Sequence, residues 1–449
     1  MKKLFTLIVL VGFVSILAAQ KDSSHFMFTI QTDKLGQSND SSYYINTYVN
    51  LNYNYDVDWD NDGVFDTLGI TQNIVHQYDS IGRYTIRIRG TFPKIDFGRT
   101  NVGFIRDANK LVSIDQWGTT AWIELFNAFT GCINLENGPT DNPNLSMAPP
   151  IFGMFSGASK FNGDLSAWDV STITSFSNIF RDATLFNQDL SYWNVAAAMD
   201  LDGMFWGATA FNQDIGNWQV DSVKRMNAMF KNATSFDQDI SGWNVSAVTS
   251  MTNMFDGAIS FNQNIGNWDI SKTISLIEMF KNATSFDQNL DGWVIDSVIR
   301  MWGMLDHSGL SIANYDSTLI GWQSNSYRNK TIGVAGLQYC AADSARNLLI
   351  TDGWSFTGDS LVNNCITHIT ELSNPSISLS VHPNPTNGIL NIVVAEVSNQ
   401  IISIYDSNVR LLKEVLFNQE KNQIDLSEYP NGLYFIRHGL QSKKVMLIH

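Results

Sequence analysis

Charged residues, histidine and cysteine are all scarce in this chain of 449 residues. Only 16% of the residues are charged, and acids outnumber bases 43 to 28, which gives a net charge of −15. Binding to nucleic acid or to an anionic membrane needs clustered lysine and arginine, so this balance argues against both partners. Three cysteines are too few for a disulfide-dense scaffold, and seven scattered histidines give little material for a histidine-rich metal site.

Long apolar runs are also missing, except at the N-terminus. A basic start at residues 1–3 is followed by an apolar stretch over residues 4–17 and by small residues before Gln20. This pattern predicts a secretory signal peptide over residues 1–19, and not an anchor helix, because a spanning helix needs about 20 apolar residues. No later segment approaches that length, so we expect an exported mature chain without a membrane span.

Export makes disulfides possible. Cys340 and Cys365 are the expected pair, because they would close a short loop near the end of one module. Cys132 is left over, and we expect it to be a small buried core residue and not a reactive thiol.

Three aromatic columns repeat every 25 residues through the middle of the chain. One column consists of Trp168, Trp193, Trp218, Trp243, Trp268 and Trp293, and two phenylalanine columns, starting at Phe155 and Phe161, follow the same register. Residues 111–135 look like a degenerate first unit, and Met304 begins a decayed last unit. Since one unit cannot bury its own aromatic side chains, neighbouring units must stack, which predicts a solenoid over residues 95–310.

Each unit is predicted to contain one short helix and one short strand. The apolar residues of one unit include Val248, Met251, Phe255 and Ala258. Their spacing of i, i+3, i+7 and i+10 is that of one face of a helix, and residues 261–265 then look extended. One strand and one helix per unit is the arrangement of a leucine-rich-repeat coil.

Three polar columns share this period. The first is always Asn or Asp, the second is mostly Gln, and the third contains Asp164, Asp189, Asp214 and Asp239. One interpretation is a ladder of side chains that bond backbone groups of adjacent coils. The other is a binding stripe for cations or sugars along the four aspartates. Stacked carboxylates about 5 Å apart would repel by roughly 3 kcal/mol at an effective dielectric near 20, so they must be solvated, hydrogen-bonded or bridged by a cation.

The tryptophan column also has two interpretations. Aromatic rings can form a platform for sugars, or they can pack on one another inside the stack. A sugar platform would place tryptophan at a few positions, whereas here it recurs in every unit, and this repetition favours the packing ladder.

The repeat MFxxAxxFNQDIxxWxVSxVxxM resembles that of the BspA-type leucine-rich-repeat surface proteins of bacteria. The match is almost residue for residue over residues 229–251 and 254–276. The sequence YDSTLIGW at 315–322 and QYCAA at 338–342 resemble the module that closes such repeats, which places a C-terminal cap over residues 311–366. The resemblance implies adhesion or surface recognition and supplies no catalytic residues.

Residues 20–94 precede the repeats and are rich in Tyr, Thr, Ile and Val in polar alternation. Residues 83–89 form a strand of period two, preceded by residues 75–78 with a turn at Gly82 between them. This module resembles a PKD-like β-sandwich.

An acidic segment of this module has the D-x-D-x-D-G spacing of a calcium loop. Asp58, Asp60, Asp62 and Asp66 are its candidate metal ligands. An EF-hand loop needs Glu at its twelfth position, where this chain has Gly69. The alternative is an acidic hairpin of a β-sandwich, so calcium stays open, and the sequence suggests no other cofactor.

The C-terminal part begins with a polar linker over residues 367–377 and continues as a small predicted sandwich over residues 378–449. PNPTNG at 383–388, IYD at 404–406 and GLYFI at 432–436 occur in order before a basic-apolar last strand. This order resembles the type A sorting domain of the type IX secretion system of Bacteroidota. The resemblance implies contact with that machinery, export across the outer membrane, and then release or attachment to the outer cell surface.

These observations predict a mostly β fold with short helices, in which a leucine-rich-repeat-like solenoid is flanked by two β-sandwich domains. A catalytic site would break the repeat at one place, and no such break and no G-x-S-x-G, H-E-x-x-H or P-loop motif occurs. We therefore expect a non-enzymatic surface protein that presents the repeats to an extracellular protein or glycan. The alternatives are a carbohydrate-binding accessory protein and a polysaccharide-degrading enzyme that uses paired acids such as Asp189 and Asp214.

Overall fold

The computed structural model describes residues 22–98, 106–139, 141–147, 149–325, 327–362, 380–393, 400–406, 410–417, 421–438 and 441–448. The predicted signal peptide and the predicted linker lie outside these residues. The chain divides into two compact units after Cys365. The described residues are mostly β, as predicted, and contain eighteen strands and two α-helices.

The N-terminal strands form two sheets. They are β1 (Phe26–Gln31), β2 (Ser42–Ile45), β3 (Asn54–Asp58), β4 (Thr67–Ile70), β5 (Ile74–Gln77), β6 (Arg83–Thr91) and β7 (Leu111–Gln116). A 3-10 helix over Asp107–Lys110 precedes β7. One antiparallel sheet has the order β4-β3-β6-β1-β7, and β2 pairs with β5 in the other. Both strands predicted around Gly82 exist, but they lie in different sheets, so the turn between them connects the sheets and does not close a hairpin.

Strand β7 joins the N-terminal sheet to the repeats. It pairs antiparallel with β1, and its Ser113 forms a parallel bridge to Asn137. The buried side chains from Phe26 to Trp354 form one hydrophobic cluster. The aromatic end of the first coil is therefore covered by the N-terminal strands and is not exposed to water.

Successive repeats stack through backbone hydrogen bonds. Phe180 donates its amide hydrogen to the carbonyl of Met204 at 3.0 Å, and Phe205 donates to Met229 at 2.9 Å. Parallel bridges link equivalent residues of neighbouring repeats from Ser175 to Arg300. Phenylalanine rings follow this stack, with the centroid of Phe230 5.7 Å from Phe205 and 5.6 Å from Phe255. Each 25-residue repeat is thus one coil of a stack.

The helix predicted in each repeat is wrong, and residues 261–265, predicted to be a short strand, are irregular. The segment that contains Met251, Met254, Phe255 and Ala258 consists of turns, and it carries the ladder of hydrogen bonds to the next coil. Met254 donates to the carbonyl of Met251 at 3.2 Å, and Ala258 donates to that of Phe255 at 3.0 Å. Because consecutive turns each bury their first and fourth residues, they give the three-residue spacing of apolar side chains that also marks a helical face.

The stack ends in a small α/β segment. Its elements are α1 (Ile312–Ser324), β8 (Thr331–Gly333), β9 (Gln338–Tyr339), α2 (Asp343–Thr351), β10 (Ser355–Thr357) and β11 (Ser360–Leu361). Asp316 on α1 accepts hydrogen bonds from the backbone amides of Cys340, Ala341 and Ala342, at 2.8 to 3.1 Å. Arg346 on α2 binds Asp359 through two hydrogen bonds at 2.7 and 2.8 Å. These bonds hold the segment together, and Trp322 on α1 donates its indole hydrogen to the carbonyl of Leu290 in the last repeat at 3.0 Å.

The second unit contains seven strands. They are β12 (Ser380–His382), β13 (Ile389–Val393), β14 (Gln400–Tyr405), β15 (Leu411–Phe417), β16 (Lys421–Asp425), β17 (Gly432–His438) and β18 (Gln441–Leu447). One sheet has the order β12-β13-β16 and the other β15-β14-β17-β18. Side chains from both sheets, including Leu390 and Ile436, form a separate hydrophobic core.

Candidate functional surface

The ladder of coil-to-coil hydrogen bonds lies beneath a partly exposed surface of the stack. We call this surface the ladder face and define it as positions 174, 175, 177 and 181 with their equivalents every 25 residues, up to Asp306. Of the residues between these positions, Phe176, Ile179 and Phe180 are fully buried, and Asn178 is half-buried. The ladder face is therefore the outer side of a segment whose inner side is core.

The ladder face is where the coils differ most from one another. Its columns contain Arg181, Trp206, Lys231, Asp256, Lys281 and Asp306 at one position and Ser177, Asp202, Asn227, Thr252, Ile277 and Trp302 at another. The buried columns, in contrast, repeat the same Phe, Trp and Ala. The stack thus keeps the interior constant, whereas the ladder face varies even though some of its side chains, such as Asn227 and Thr252, also bond the next coil. Sequence reasoning missed this surface, although the varying columns of the repeat were a usable signal.

Cations are concentrated on the ladder face. Of the eight lysines and arginines in residues 154–310, six lie there: Arg181, Lys224, Arg225, Lys231, Lys281 and Arg300. Arg225 forms ion pairs with Asp200 and, at 3.1 Å, with Asp202, and burial raises the pKa of Asp202 above its usual value. The Arg181 guanidinium lies 3.7 Å from the ring centroid of Trp206. Tryptophan and arginine, both present on this surface, are residue types enriched in protein interfaces.

The first polar column forms a ladder between coils, as one interpretation of the sequence predicted. The side-chain oxygen of Asn212 accepts the amide hydrogen of Asp237 and a side-chain hydrogen of Gln238, both at 2.9 Å. Asn187 and Asp237 make equivalent bonds to the coils that follow them. This column and the glutamine column therefore stabilise the stack.

The candidate binding stripe lies on an exposed flank of the same coils. Asp164, Asp189, Asp214 and Asp239 each accept the backbone amide hydrogen two residues ahead, at 2.8 or 2.9 Å. These bonds stay within one coil. Hydrogen bonds from Ser191 hold the pKa of Asp189 below its usual value, and bonds from Ser241 do so for Asp239. Solvation and hydrogen bonds to N–H groups therefore offset the expected repulsion, and a bridging cation is not required for it.

The tryptophan column is buried. Its six side chains are at most 5% exposed. Trp193, Trp218 and Trp243 donate their indole hydrogens to backbone carbonyls 28 residues earlier, at 2.8 to 3.1 Å. These rings pack inside the stack and present no platform to a sugar, as the repetition in the sequence predicted.

The acidic loop brings together three of its four predicted ligands. Carboxylate oxygens of Asp58, Asp60 and Asp66 lie within 4.8 Å of one another, whereas Asp62 is not part of this group. Asp58 is fully buried and already accepts the amide hydrogens of Asn61 and Gly63, at 2.6 and 3.1 Å. In addition, Arg87 Nε lies 3.9 Å from Asp58 Oδ2. A cation in this loop would meet a fixed positive charge, which weakens its binding.

The cysteines are only partly described. Cys340 is disulfide-bonded, and its predicted partner Cys365 lies outside the described residues. Cys132 is buried in the core, as predicted.

Comparison with known families gives two matches. Residues 380–447 match the secretion system C-terminal sorting domain, which confirms the sorting domain predicted from the sequence. Residues 123–235 and 213–317 match a family described as "Mycoplasma protein of unknown function, DUF285". No curated protein and no solved structure matches the chain.

The sorting domain supports export through type IX secretion to the cell surface or the extracellular space. It also implies an interaction with the secretion machinery. Among the described residues, no helix has the length and apolar character needed to cross a bilayer.

Proposed function

We propose that this protein is a non-catalytic surface interaction protein that binds an extracellular partner through the ladder face of a leucine-rich-repeat-like solenoid. The proposal depends on one observation: side chains vary from coil to coil on the ladder face, whereas the buried columns stay constant. In a stack of repeats, positions free of packing constraints can be adapted to a partner without loss of the fold. Export to the cell surface places this surface where such a partner is accessible.

The chemistry of the ladder face favours a protein partner. Trp206 and Trp302, together with Arg181, Arg225 and Arg300, are of the residue types that contribute most binding energy in protein interfaces. A glycan is the second candidate, but the regular tryptophan column is buried and cannot stack on sugar rings. An adhesin would therefore bind through these individual ladder-face aromatics.

An enzyme on this scaffold is less well supported. The acids Asp189 and Asp214 lie on adjacent coils, but the pKa of Asp189 is lowered by hydrogen bonds with Ser191. A general acid in glycoside hydrolysis needs a raised pKa, so Asp189 is poorly suited to that role.

The test compares two variants of the secreted chain. One variant replaces Arg181, Trp206, Lys231 and Trp302 with Ser, and the matched control replaces Asp164, Asp189, Asp214 and Asp239 with Asn. We expect the first variant to lose binding to whole cells of the producing organism and of its neighbours, and the second to bind like the native chain. Equal binding by all three chains, or loss of binding only in the variant with the four aspartates replaced, would contradict the proposal. A glycan array probed with the same chains distinguishes a glycan from a protein partner.

A further inference from the structure

The C-terminal end of the ladder face carries an exposed apolar patch. Ile274 is 44% exposed, Ile299 is 72% exposed and Trp302 is 59% exposed. At the position of Ile274 and Ile299 the two coils before them have Lys224 and Thr249, although the earlier Met199 is also exposed. The column of Trp302 is polar up to Thr252 and apolar from Ile277 onward. Apolar side chains clustered on neighbouring coils in this way are typical of a surface that binds another protein.

Arg300 lies between Ile299 and Trp302 in the chain and is exposed. Arg225, its equivalent three coils earlier, forms ion pairs with Asp200 and Asp202. Within the described part of the chain, Arg300 has no such carboxylate partner. A surface that binds this arginine together with the exposed Trp302 would have to be both acidic and apolar.

The N-terminal sheets of the same chain contain a cleft with those properties. It has a volume of about 300 Å³, and its lining includes Trp59, His76, Tyr78, Tyr84, Asp60, Asp66 and Asp79. The rings are held rigidly, because Trp59 stacks on His76 at 4.5 Å and Tyr78 stacks on Tyr84 at 3.7 Å. Aromatic faces and carboxylates are the two kinds of group that bind a guanidinium.

We propose that the Ile299–Arg300–Trp302 patch of one molecule docks into the aromatic and acidic cleft of a second copy of this chain. The two surfaces are different and lie on different parts of the chain, so the contact is head-to-tail. Such contacts build open chains of molecules, or a closed ring where the rotation between copies closes on itself. This inference goes beyond the proposed function, and because both involve Arg300 and Trp302, self-association and cell binding are measured on the same variants.

The test uses sedimentation velocity of the purified secreted chain over a range of concentrations. We expect association that increases with concentration and that is weakened roughly tenfold or more by Arg300→Glu or by Asp79→Lys, because each substitution places like charges opposite each other. Mixing the two variants restores association, since the glutamate introduced in one variant then faces the lysine introduced in the other. The control Lys272→Glu, which reverses an exposed cation outside the ladder face, leaves association unchanged.

The proposal is overturned if the native chain sediments as a monomer at every concentration, or if the mixed variants associate no better than each alone. Circular dichroism of each variant checks that the fold is intact. Binding of the ladder-face variants to cells is measured separately, so a failure of self-association leaves the proposed function untouched.

Discussion

The side-chain oxygen of Asn232 lies 2.2 Å from the point where a β-carbon on Gly257 would lie. Both residues have positive φ, at 56° and 72°, and they occupy the same position in adjacent coils. Asp182 has the same relationship to Gly207, at 2.3 Å. This close approach explains the glycines at positions 207 and 257, and the column alternates between glycine and Asn or Asp from Gly157 to Asn282. The last coil departs from the alternation, because His307 follows Asn282.

We expect Gly257→Ala to lower the free energy of unfolding by about 1–2 kcal/mol for the left-handed backbone, with a further loss from the clash with Asn232. Replacing Asn232 with Gly in the same chain should recover only the part due to the clash. Urea denaturation gives both values. The control is Gly242→Ala, because a β-carbon there meets no atom within 4 Å. Equal stability of the Gly257 and Gly242 variants would disprove the steric explanation.

The asparagine ladder predicts that substitutions in two of the polar columns lower the free energy of unfolding by different amounts. Asn212→Ala leaves the amide hydrogen of Asp237 and a hydrogen of Gln238 without their acceptor, and we expect a loss of about 1–3 kcal/mol. Asp214→Ala removes one exposed bond within a coil and should cost less than about 1 kcal/mol. Denaturation midpoints compare the two variants, and a larger effect at Asp214 would argue against a ladder.

Because the tryptophan column is buried, replacing one of its residues should lower the stability of the chain and should have no specific effect on sugar binding. Trp243→Ala should lower the free energy of unfolding by about 3–5 kcal/mol, since it removes a 3% exposed ring and its hydrogen bond to Ile215. Tyr192→Ala, at a side chain that is 79% exposed, should change it little. Thermal melts measure both, and a stable Trp243→Ala chain with abolished glycan binding would restore the sugar-platform interpretation.

The aspartates of the candidate binding stripe should make the folded chain less stable in acid. The pKa of Asp239 in the folded chain is lowered by hydrogen bonds with Ser241 from the ordinary value of 3.8. A lowered pKa adds stability that is present above pH 3.8 and is lost as the pH falls through the folded value. The difference in melting temperature between the native chain and Asp239→Asn should therefore be larger at neutral pH than in the acid range below the ordinary pKa. An identical pH profile in both chains would contradict this assignment.

The acidic loop predicts weak calcium binding that Arg87 opposes. We expect a dissociation constant of about 10⁻⁴–10⁻³ M, the range of extracellular modules, because Asp58 is already hydrogen-bonded to backbone amides. Arg87→Gln should tighten binding and Asp60→Asn should weaken it, as measured by isothermal titration calorimetry with calcium alone. If Arg87→Gln leaves the affinity unchanged, the guanidinium does not act on the metal.

Part of this fold could be predicted from single columns of residues. The 25-residue register of Phe155, Phe161 and Trp168 predicts stacked coils, because large aromatic side chains need neighbours to bury them. The sorting domain could be predicted because its turn and strand sequences occur in a fixed order. The backbone of the coil could not be predicted, since the spacing of Met251, Phe255 and Ala258 fits both a helix and a series of turns.

The candidate surface was harder to predict than the core. A regular column such as Asp164 to Asp239 suggests a binding stripe, but its side chains form hydrogen bonds within their own coils. The ladder face is marked by columns that vary, as at Trp206 and Trp302. This variation marks the surface in the sequence, but it does not show which of its residues contact one another. Likewise, Arg87 is distant in sequence from Asp58, so only the folded sheet brings its charge to the acidic loop.

The most direct test of the stack is removal of one coil. Deleting residues 229–253 removes one complete repeat and joins Ala228 to Met254 with every later column in register, so we expect a folded chain that unfolds cooperatively at slightly lower stability. Deleting residues 229–248 is the control, because it breaks the register of every later column. The account predicts that only the second deletion abolishes folding, as seen in circular dichroism and urea denaturation. Equal behaviour of the two deletions would contradict the stacking of 25-residue coils.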